Sequence, residues 1–332
     1  MSAPLLEIRD LRVSVRGDEG EARILDFVNL TVARGEAVGV VGESGCGKST
    51  LLKAVLGLLP RGAEVETGVI RFDGEDLLQL RPEDFARRIR GRAVGFVPQD
   101  PFQSFNPVFT VGRQMLEILR WTGLPGEPPR TIWTSRERER ARAALIEALR
   151  AVQLPDPEGA LDRYPHQFSG GQRQRILIAG ALAARPQLIL ADEPTTALDV
   201  TTQMQILSLL RRLARDFDVG LVFVSHDFGA VAQLCDRVAV MYGGQTVETG
   251  PADAVIADPR HPYAAALLAC HPDGERPLVG IPGLVSSALA PPPGCRFNPR
   301  CVLAVEACRN ERPPLRTVAP GRLVACVHAE AS

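Results

Sequence analysis

Lysine is nearly missing from this sequence: of 38 basic residues only Lys48 and Lys53 are lysines, and the others are arginines. A coding bias of the source explains this excess better than an arginine-based function does. The net charge is −1, so there is no bulk electrostatic attraction for nucleic acid. The composition therefore argues against a nucleic-acid-binding protein.

Long apolar runs are also missing. No run approaches the ~18 residues that indicate a membrane-spanning helix. The first residues, MSAPLLEIRDL, lack the charged-then-apolar pattern of a signal peptide. We therefore expect a cytosolic protein that associates with a membrane only through its partners. In that compartment the seven cysteines are not expected to form disulfides.

The sequence does contain enough apolar residues, 45% of 332, for one large domain and a smaller one. Alternating strands and helices predict an α/β fold with a mostly parallel sheet. The predicted helices are Ser49–Leu59, Ser135–Val152, Arg173–Ala184 and Gln203–Arg215. The predicted strands are Leu5–Ile8, Leu11–Val15, Phe27–Val32, Ala37–Val41, Gly68–Phe72, Ala93–Val97, Leu188–Leu190, Leu221–Val224, Val238–Met241 and Thr246–Glu248.

A helical subdomain at about residues 100–185 interrupts this α/β core. Its clearest helix, Ser135–Val152, has apolar residues at helical i, i+3, i+4 spacing. Thr134 and Glu137 have the spacing of a capping box at its start.

A glycine-rich stretch follows the strand Ala37–Val41 and matches the phosphate-binding loop pattern G-x-x-x-x-G-K-[ST] at every fixed position. Its backbone N–H groups and the following helix N-terminus favour phosphate binding. Lys48 is expected to reach the β- and γ-phosphates, and the Ser49 hydroxyl to ligate Mg²⁺. The candidate nucleotide-binding residues are Gly42, Ser44, Gly45, Cys46, Gly47, Lys48, Ser49 and Thr50.

Two carboxylates follow the buried strand Leu188–Leu190. The carboxyl ends of strands are where an α/β sheet presents its site. We expect Asp192 to organise the Mg²⁺ shell and Glu193 to orient or deprotonate the attacking water. The alternative, two acids capping the next helix, fits poorly with a metal-binding loop upstream.

Four further motifs occur in a fixed order with these two. They are Gln99, Ser169-Gly170-Gly171-Gln172, Ala197-Leu198-Asp199 and His226. The set resembles the nucleotide-binding subunit of ATP-binding cassette (ABC) transporters over residues 1 to about 250. The resemblance implies a P-loop NTPase core at residues 1–258 with an N-terminal β subdomain.

The family mechanism implies two cassettes that close head to tail, each ATP lying between one P-loop and the partner's signature. Ser169, Gly170, Gly171 and Gln172 would then face the γ-phosphate of the opposite site. Gln99 would touch Mg²⁺ or water and report its state to the membrane partner. His226 would contact the γ-phosphate, and Asp199 would lie at the dimer seam. No catalytic position is degenerate.

The adenine contact departs from the family pattern. The family usually stacks an aromatic residue on adenine from the early strand region, but no aromatic occurs between Met1 and Phe27. Val15 and Arg16 occupy that neighbourhood. The planar guanidinium of Arg16 could stack instead.

Several stretches resemble the oligopeptide/dipeptide importer ATPases. Nickel and glutathione importers share this branch, so the cargo stays open. Residues 259–332 resemble the C-terminal extension of that branch. The stretches are Gln99-Asp100-Pro101, Ser104-Phe105-Asn106-Pro107, Tyr164-Pro165-His166, Glu193–Val200, His261-Pro262-Tyr263 and Pro293–Cys301.

Four cysteines cluster in this extension: Cys295, Cys301, Cys308 and Cys326. Thiolate clusters in cytosolic chains usually bind metal, and this spacing is not the tight C-x₂-C of zinc ribbons. In some members of the family the equivalent cysteines hold a [4Fe–4S] cluster. The resemblance favours that cluster over Zn²⁺ or unmetallated cysteines.

The resulting hypothesis is an ATPase subunit of a peptide importer at the cytoplasmic face of the membrane. Its implied partners are a second ATPase subunit, identical or not, two membrane permeases and, indirectly, an extracytoplasmic binding protein. The alternative is a soluble ABC ATPase acting on DNA or ribosomes. A third hypothesis, compatible with the first, is that the C-terminal cysteine domain senses redox state or metal and gates the ATPase.

Overall fold

A computed structural model describes residues 3–18, 20–130, 132–196, 198–270 and 280–329. The strands are β1 (Leu6–Gly17), β2 (Gly20–Val32), β3 (Ala37–Val41), β4 (Ala63–Phe72), β5 (Glu75–Asp76), β6 (Val94–Val97), β7 (Leu188–Asp192), β8 (Gly220–Ser225), β9 (Arg237–Tyr242), β10 (Gln245–Pro251), β11 (Arg316–Ala319) and β12 (Arg322–Val324). The helices are α1 (Lys48–Val55), α2 (Pro82–Arg88), α3 (Val111–Thr122), α4 (Ser135–Ala151), α5 (Pro157–Ala160), α6 (Gly170–Leu182), α7 (Val200–Asp216), α8 (Phe228–Leu234), α9 (Ala252–Ala257), α10 (Pro262–Ala269) and α11 (Glu306–Asn310).

The chain divides into two units, one of residues 1–78 and 223–332 and the other of residues 79–222. The division falls within β8. The first unit joins the N-terminal strands to the C-terminal segment, which the sequence treats as separate. The domain boundary near residue 258 and the limits of the helical subdomain, about residues 100–185, stay predictions.

The first unit contains an antiparallel sheet with strand order β2-β1-β4-β5. Its strands are longer than the sequence predicts. The expected break near Asp10 is a bulge inside β1: Asp10 has φ 46°, and the register shifts between Ile8 and Leu11. Phe27, the expected start of a strand, has φ 62° inside β2. Asp10 and Phe27 therefore lie inside long strands, at points where the sequence predicts a strand boundary.

The same unit contains the strand that leads into the glycine-rich loop. All five residues of β3 are buried, as an uninterrupted apolar run predicts. Strand β3 pairs with β9 in parallel, whereas β9–β10, β10–β12 and β11–β12 are antiparallel. The predicted parallel arrangement thus describes β3 and β9 but not the C-terminal strands. The turn at Gly243–Gly244, where both glycines have positive φ, joins β9 directly to β10 and forces the antiparallel direction.

The second unit contains the parallel pair β6 and β7, with helices α3–α6 between them in the chain. Helix α4 packs against α3 and α6 through its apolar face. The predicted capping box at its start is confirmed, because Glu137 N donates to Thr134 Oγ1 and Thr134 N donates to Glu137 Oε2. The predicted face is buried at Ala141, Leu145, Ala148, Leu149 and Val152, whereas Ala144 is half-buried.

Among the described residues, no helix combines the length and apolarity that crossing a bilayer requires.

Candidate nucleotide site

The glycine-rich loop connects β3 to α1. Gly47 occupies the N-cap of α1 at φ 100°, a conformation that residues with a Cβ rarely adopt. The Lys48 side chain is buried, and its ammonium donates to Gly42 O at 2.7 Å and to Glu43 O at 3.1 Å. The loop thus brings a buried cation and a helix N-terminus to one place, which is chemistry suited to phosphate.

Two residues that the sequence motifs do not single out as functional contact this loop. Tyr263 accepts a hydrogen bond from Glu43 N at 2.8 Å, and Arg300 forms a bidentate ion pair with the Glu43 carboxylate. In the sequence both residues belong only to stretches that resemble the C-terminal extension of the importer branch. The separation of 257 residues between Glu43 and Arg300 leaves no local spacing signal.

The two carboxylates lie where the sequence predicts, at the end of β7. Asp192 is buried, and Glu193 follows it with φ 44°, in the left-handed region. Glu193 Oε2 accepts from Gln99 Nε2 at 3.3 Å and from Thr196 Oγ1 at 3.1 Å. Gln99 follows β6, and the parallel register of β6 with β7 places Val97 opposite Ala191. This pairing brings Gln99 and Glu193 together, and the two hydrogen bonds orient a carboxylate that could receive a proton from water.

The Ser169–Gln172 segment begins α6 with a capping box. Ser169 Oγ accepts from Gln172 N at 3.3 Å, and Gln172 Oε1 accepts from Ser169 N at 3.0 Å. A Cβ on Gly171 would lie 2.6 Å from Thr202 Cγ2, so the helix start packs closely on α7. The exposed N-terminus of α6 is therefore held rigidly by local bonds and close packing.

Asp199 caps α7 and belongs to the same neighbourhood. Its carboxylate accepts from Thr202 N at 3.0 Å and from Thr202 Oγ1 at 2.7 Å. Hydrogen bonds from the Thr202 backbone and hydroxyl lower the pKa of Asp199. Thr202 thereby links Gly171 to Asp199. Ala197, the first residue of the Ala-Leu-Asp motif, lies outside the described residues.

His226 follows β8 and is exposed. Asp227 next to it caps α8, with Asp227 Oδ1 accepting from Gly229 N at 2.7 Å. His226 is in the unit that holds the glycine-rich loop, whereas Gln99, Asp192, Glu193, Asp199 and the Ser169–Gln172 segment are in the other unit.

The four C-terminal cysteines line one small pocket, together with His261, Phe297 and His328. None of the four forms a disulfide. Burial raises the pKa of the Cys295 thiol to about 11 and also raises the pKa values of Cys301 and Cys326. The sequence therefore correctly groups residues that lie up to 31 positions apart, from 295 to 326.

The geometry gives no support to the expected iron–sulfur cluster. Within the part of the chain that the structure describes, no three His, Cys, Asp or Glu side chains converge as metal ligands would. The four cysteines share one pocket, but among the described residues no three of them form a group that could hold a single metal ion.

Two family models match the chain. The model for ABC transporters matches residues 25–196, and the model for the oligopeptide/dipeptide transporter C-terminal region matches residues 247–308.

Curated relatives match over almost the full length. A putative peptide import ATP-binding protein of Brucella abortus is 43% identical over 329 residues, covering 98% of this chain and 95% of that protein. The oligopeptide transport ATP-binding protein OppD of Salmonella typhimurium is 42% identical over 325 residues, covering 97% and 93%.

Solved structures of cassettes also match. The dimeric structure of a bacterial ABC transporter cassette has a TM-score of 0.62 and 28% identity, covering 74% of this chain and 98% of that one. A post-hydrolysis dimer of the same cassette, bound to ADP and Pi, has a TM-score of 0.62 and 29% identity, with the same coverage.

Proposed function

The chain belongs to the ABC transporter family as one of its ATPases, and we propose that it is the subunit that powers a peptide importer. One observation carries the peptide assignment: the C-terminal region, residues 247–308, matches the oligopeptide/dipeptide transporter model. The relatives named for peptide import match this region as well as the cassette, since each covers at least 97% of the chain.

The glycine-rich loop is proposed to bind the phosphates of ATP. Lys48 supplies a buried positive charge, and residues 42–50 supply N–H groups and a helix N-terminus. Mg²⁺ would be held by Ser49, Asp192 and Gln99, whose hydroxyl, carboxylate and amide oxygens are ligands suited to that ion.

Glu193 is proposed to orient the attacking water and accept its proton. The hydrogen bonds from Gln99 and Thr196 fix the carboxylate before water arrives, so little reorganisation is needed during the reaction. His226 is proposed to contact the γ-phosphate.

The Ser169–Gln172 segment and Asp199 are proposed to act on the nucleotide of a second cassette. Ser169 is exposed at the start of α6, where its hydroxyl and the helix N-terminus could meet a phosphate. A head-to-tail dimer with an identical or sister subunit would complete both sites. ATP binding would close the dimer, and hydrolysis would reopen it.

Membrane attachment is proposed to come from two permease subunits at the cytoplasmic face. An extracytoplasmic binding protein would deliver the cargo. Nickel and glutathione are the alternative cargoes, since importers for both belong to the branch of the family that this chain resembles. A soluble ABC ATPase that acts on DNA or ribosomes is the remaining alternative.

Reconstitution tests the importer assignment. The chain would be co-purified with its permeases and binding protein, placed in proteoliposomes with ATP, and assayed for uptake of labelled oligopeptide, Ni²⁺ and glutathione. We expect ATP-dependent peptide uptake that stops with the Glu193→Gln variant. Uptake of Ni²⁺ or glutathione alone would move the assignment to that cargo. ATPase activity that follows nucleic acid or ribosomes instead of permeases would contradict import.

We further propose that Cys295, Cys301, Cys308 and Cys326 bind a metal centre, [4Fe–4S] rather than Zn²⁺. Their shared pocket supplies four sulfur donors, the ligand set that such clusters use. Iron, acid-labile sulfide and zinc would be measured on anaerobically purified protein, with Cys295→Ser as the variant and Cys270→Ser as the control outside the pocket. About four irons and four sulfides per chain, lost only in Cys295→Ser, are expected. Zinc without iron would overturn the iron–sulfur assignment. The absence of both metals would overturn the metal site itself.

A further inference from the structure

Glu43 is a negatively charged residue inside a loop that is suited to binding negatively charged phosphate. Its backbone carbonyl accepts hydrogen bonds from Lys48 Nζ at 3.1 Å and from Cys46 N at 3.3 Å. The position of the Glu43 peptide therefore sets both the turn of the loop and the place of the lysine ammonium. A contact that fixes Glu43 therefore also fixes the turn of the loop and the position of the Lys48 ammonium.

Arg300 holds the Glu43 side chain. Arg300 Nη1 donates to Glu43 Oε2 at 2.7 Å and Nη2 donates to Oε1 at 3.1 Å, a bidentate pair with fixed geometry. The Arg300 side chain is only 3% exposed, so solvent screens the pair weakly. This pairing neutralises the one carboxylate of the loop and would spare a bound phosphate its repulsion.

Every donor of the Arg300 guanidinium has a partner. Besides Glu43, it donates through Nε to Pro282 O at 2.9 Å, through Nη2 to Ile281 O at 3.0 Å and through Nη1 to Tyr242 Oη at 3.4 Å. A guanidinium has five N–H donors, and these contacts account for five. These five hydrogen bonds fix the guanidinium in place, so Arg300 can act as a rigid support for Glu43.

Tyr263 holds the Glu43 backbone. Its hydroxyl accepts from Glu43 N at 2.8 Å, so the N–H and the C=O of Glu43 are bound from opposite sides, by Tyr263 and by Lys48. The ring of Tyr263 is fully buried against Tyr242 and Phe297, with centroid distances of 4.6 and 5.4 Å. Rigid aromatic packing keeps the hydroxyl in place.

The C-terminal segment places both contacts by local structure. Tyr263 lies in the first turn of α10, where His261 Nδ1 accepts from Tyr263 N at 3.1 Å. Arg300 lies in a short 3-10 turn, Asn298–Arg300, with Phe297 buried just before it. A third contact runs through Arg296, which donates to Gly243 O, while Gly244 N donates to Cys46 O at 3.1 Å.

We propose that Arg300 and Tyr263 are positioning residues for nucleotide binding. From the C-terminal segment they fix Glu43, and through Glu43 they fix the loop that carries Lys48. Neither residue needs to touch the nucleotide. The inference rests on the proposed phosphate-binding role of this loop and assigns to the C-terminal segment a part in the ATP site.

Binding of MgADP to the full-length chain tests the proposal, measured by isothermal titration calorimetry with a thermal unfolding scan of each variant. Tyr263→Phe leaves the Glu43 N–H without its acceptor, and we expect about five- to tenfold weaker binding, as for the loss of one hydrogen bond. Thr246→Val is the matched control, because it removes a buried hydroxyl of the same unit that bonds Asn29 and makes no bond to the loop, Arg300 or Tyr263. It should bind within about twofold of the native chain.

A charge cycle separates positioning from general stability. Arg300→Met leaves an unpaired carboxylate beside the phosphate site, and we expect at least tenfold weaker MgADP binding, in line with the effect of an uncompensated buried charge. Glu43→Gln combined with Arg300→Met removes that carboxylate and should recover several-fold of the affinity. Glu36→Gln, which breaks the Glu36–Arg237 pair in the same unit, is the control and should leave binding unchanged.

The outcomes are distinguishable. If the native chain binds no MgADP, the proposed function itself fails. If the native chain binds and Tyr263→Phe binds equally well, the positioning role is overturned while the ATPase assignment stands. Recovery in the double variant supports the proposal, and equal or greater loss in it overturns the electrostatic part. Should Arg300→Met fail to fold, the comparison of Tyr263→Phe with Thr246→Val decides.

Discussion

Gln99 donates a hydrogen bond through Nε2 to Glu193 Oε2 at 3.3 Å, although the two residues lie 94 positions apart. Each follows one strand of the parallel pair β6 and β7, so the register of the pair places them side by side. A substitution of Gln99 should therefore change the orientation of the Glu193 carboxylate.

Gln99→Ala removes this donor but leaves the glycine-rich loop unchanged. We expect ATP hydrolysis to fall by about tenfold, because one hydrogen bond that orients the carboxylate is lost. Because Gln99 is also a proposed Mg²⁺ ligand, the affinity is measured for ADP without Mg²⁺, and it should stay within a factor of about two. Steady-state hydrolysis and equilibrium binding on the same preparations measure the two effects. A loss of affinity with unchanged turnover would contradict the assigned role.

Gly171→Ala should place a methyl group against Thr202, because the Cβ position lies 2.6 Å from Thr202 Cγ2. We expect the start of α6 to shift and hydrolysis in the dimer to fall. Thr202→Ser keeps the hydroxyl that binds Asp199 and removes the obstructing methyl group. Hydrolysis should therefore recover in the double variant Gly171→Ala/Thr202→Ser. No recovery would show that Gly171 matters for a reason other than its contact with Thr202.

Buried His261 makes stability depend on pH. Burial lowers its pKa from 6.5 to about 4, so the unfolded chain binds a proton between these values and the folded chain does not. Stability should therefore fall as the pH drops from about 6.5 towards 4, by about 2 kcal/mol from this group at pH 5. His261→Asn keeps an acceptor for Tyr263 N and removes the titration.

Urea unfolding at pH 7.5 and pH 5 measures this difference. The native chain should lose more stability between the two pH values than His261→Asn does. The carboxylates titrate in both proteins, so the comparison isolates the imidazole. Parallel losses would show that the imidazole titrates normally in the folded chain.

Arg16 is the candidate for stacking on adenine, and it is exposed on β1. Arg16→Ala should weaken MgADP binding by about threefold to tenfold if the guanidinium stacks on the base. Arg9→Ala, at another exposed arginine of the same strand, is the control. Equal binding by Arg16→Ala and the native chain would show that another residue meets the adenine.

Local signals in the sequence predict much of this fold. The apolar run before the glycine-rich loop, the capping box of Thr134 with Glu137, and the acids after Leu188–Leu190 all depend on residues close together in the chain. Each of them lies where the sequence predicts. Strand lengths in the N-terminal sheet are wrong because a bulge at Asp10 resembles a strand end in sequence.

Contacts between distant residues could not be predicted. The Glu43–Arg300 pair forms only because α10 and the Cys295–Cys301 segment pack on the β3–α1 loop, and no spacing rule connects positions 257 residues apart. The pairing of β10 with β12 could not be predicted either, because the two strands lie far apart in the sequence. The grouping of the four cysteines follows from their positions in the C-terminal segment and from the family resemblance, whereas the pocket that they share requires the folded chain.

The most direct test of the account is ATP turnover and nucleotide binding by Glu193→Gln compared with the native chain. The substitution keeps the size of the side chain and one acceptor oxygen, but it removes the carboxylate that is proposed to accept the proton. We expect hydrolysis to fall by about 100-fold or more while ATP binding is retained, as for loss of a general base. Near-native turnover in Glu193→Gln would contradict the proposed catalytic role, and absence of ATP binding by the native chain would contradict the ATPase assignment.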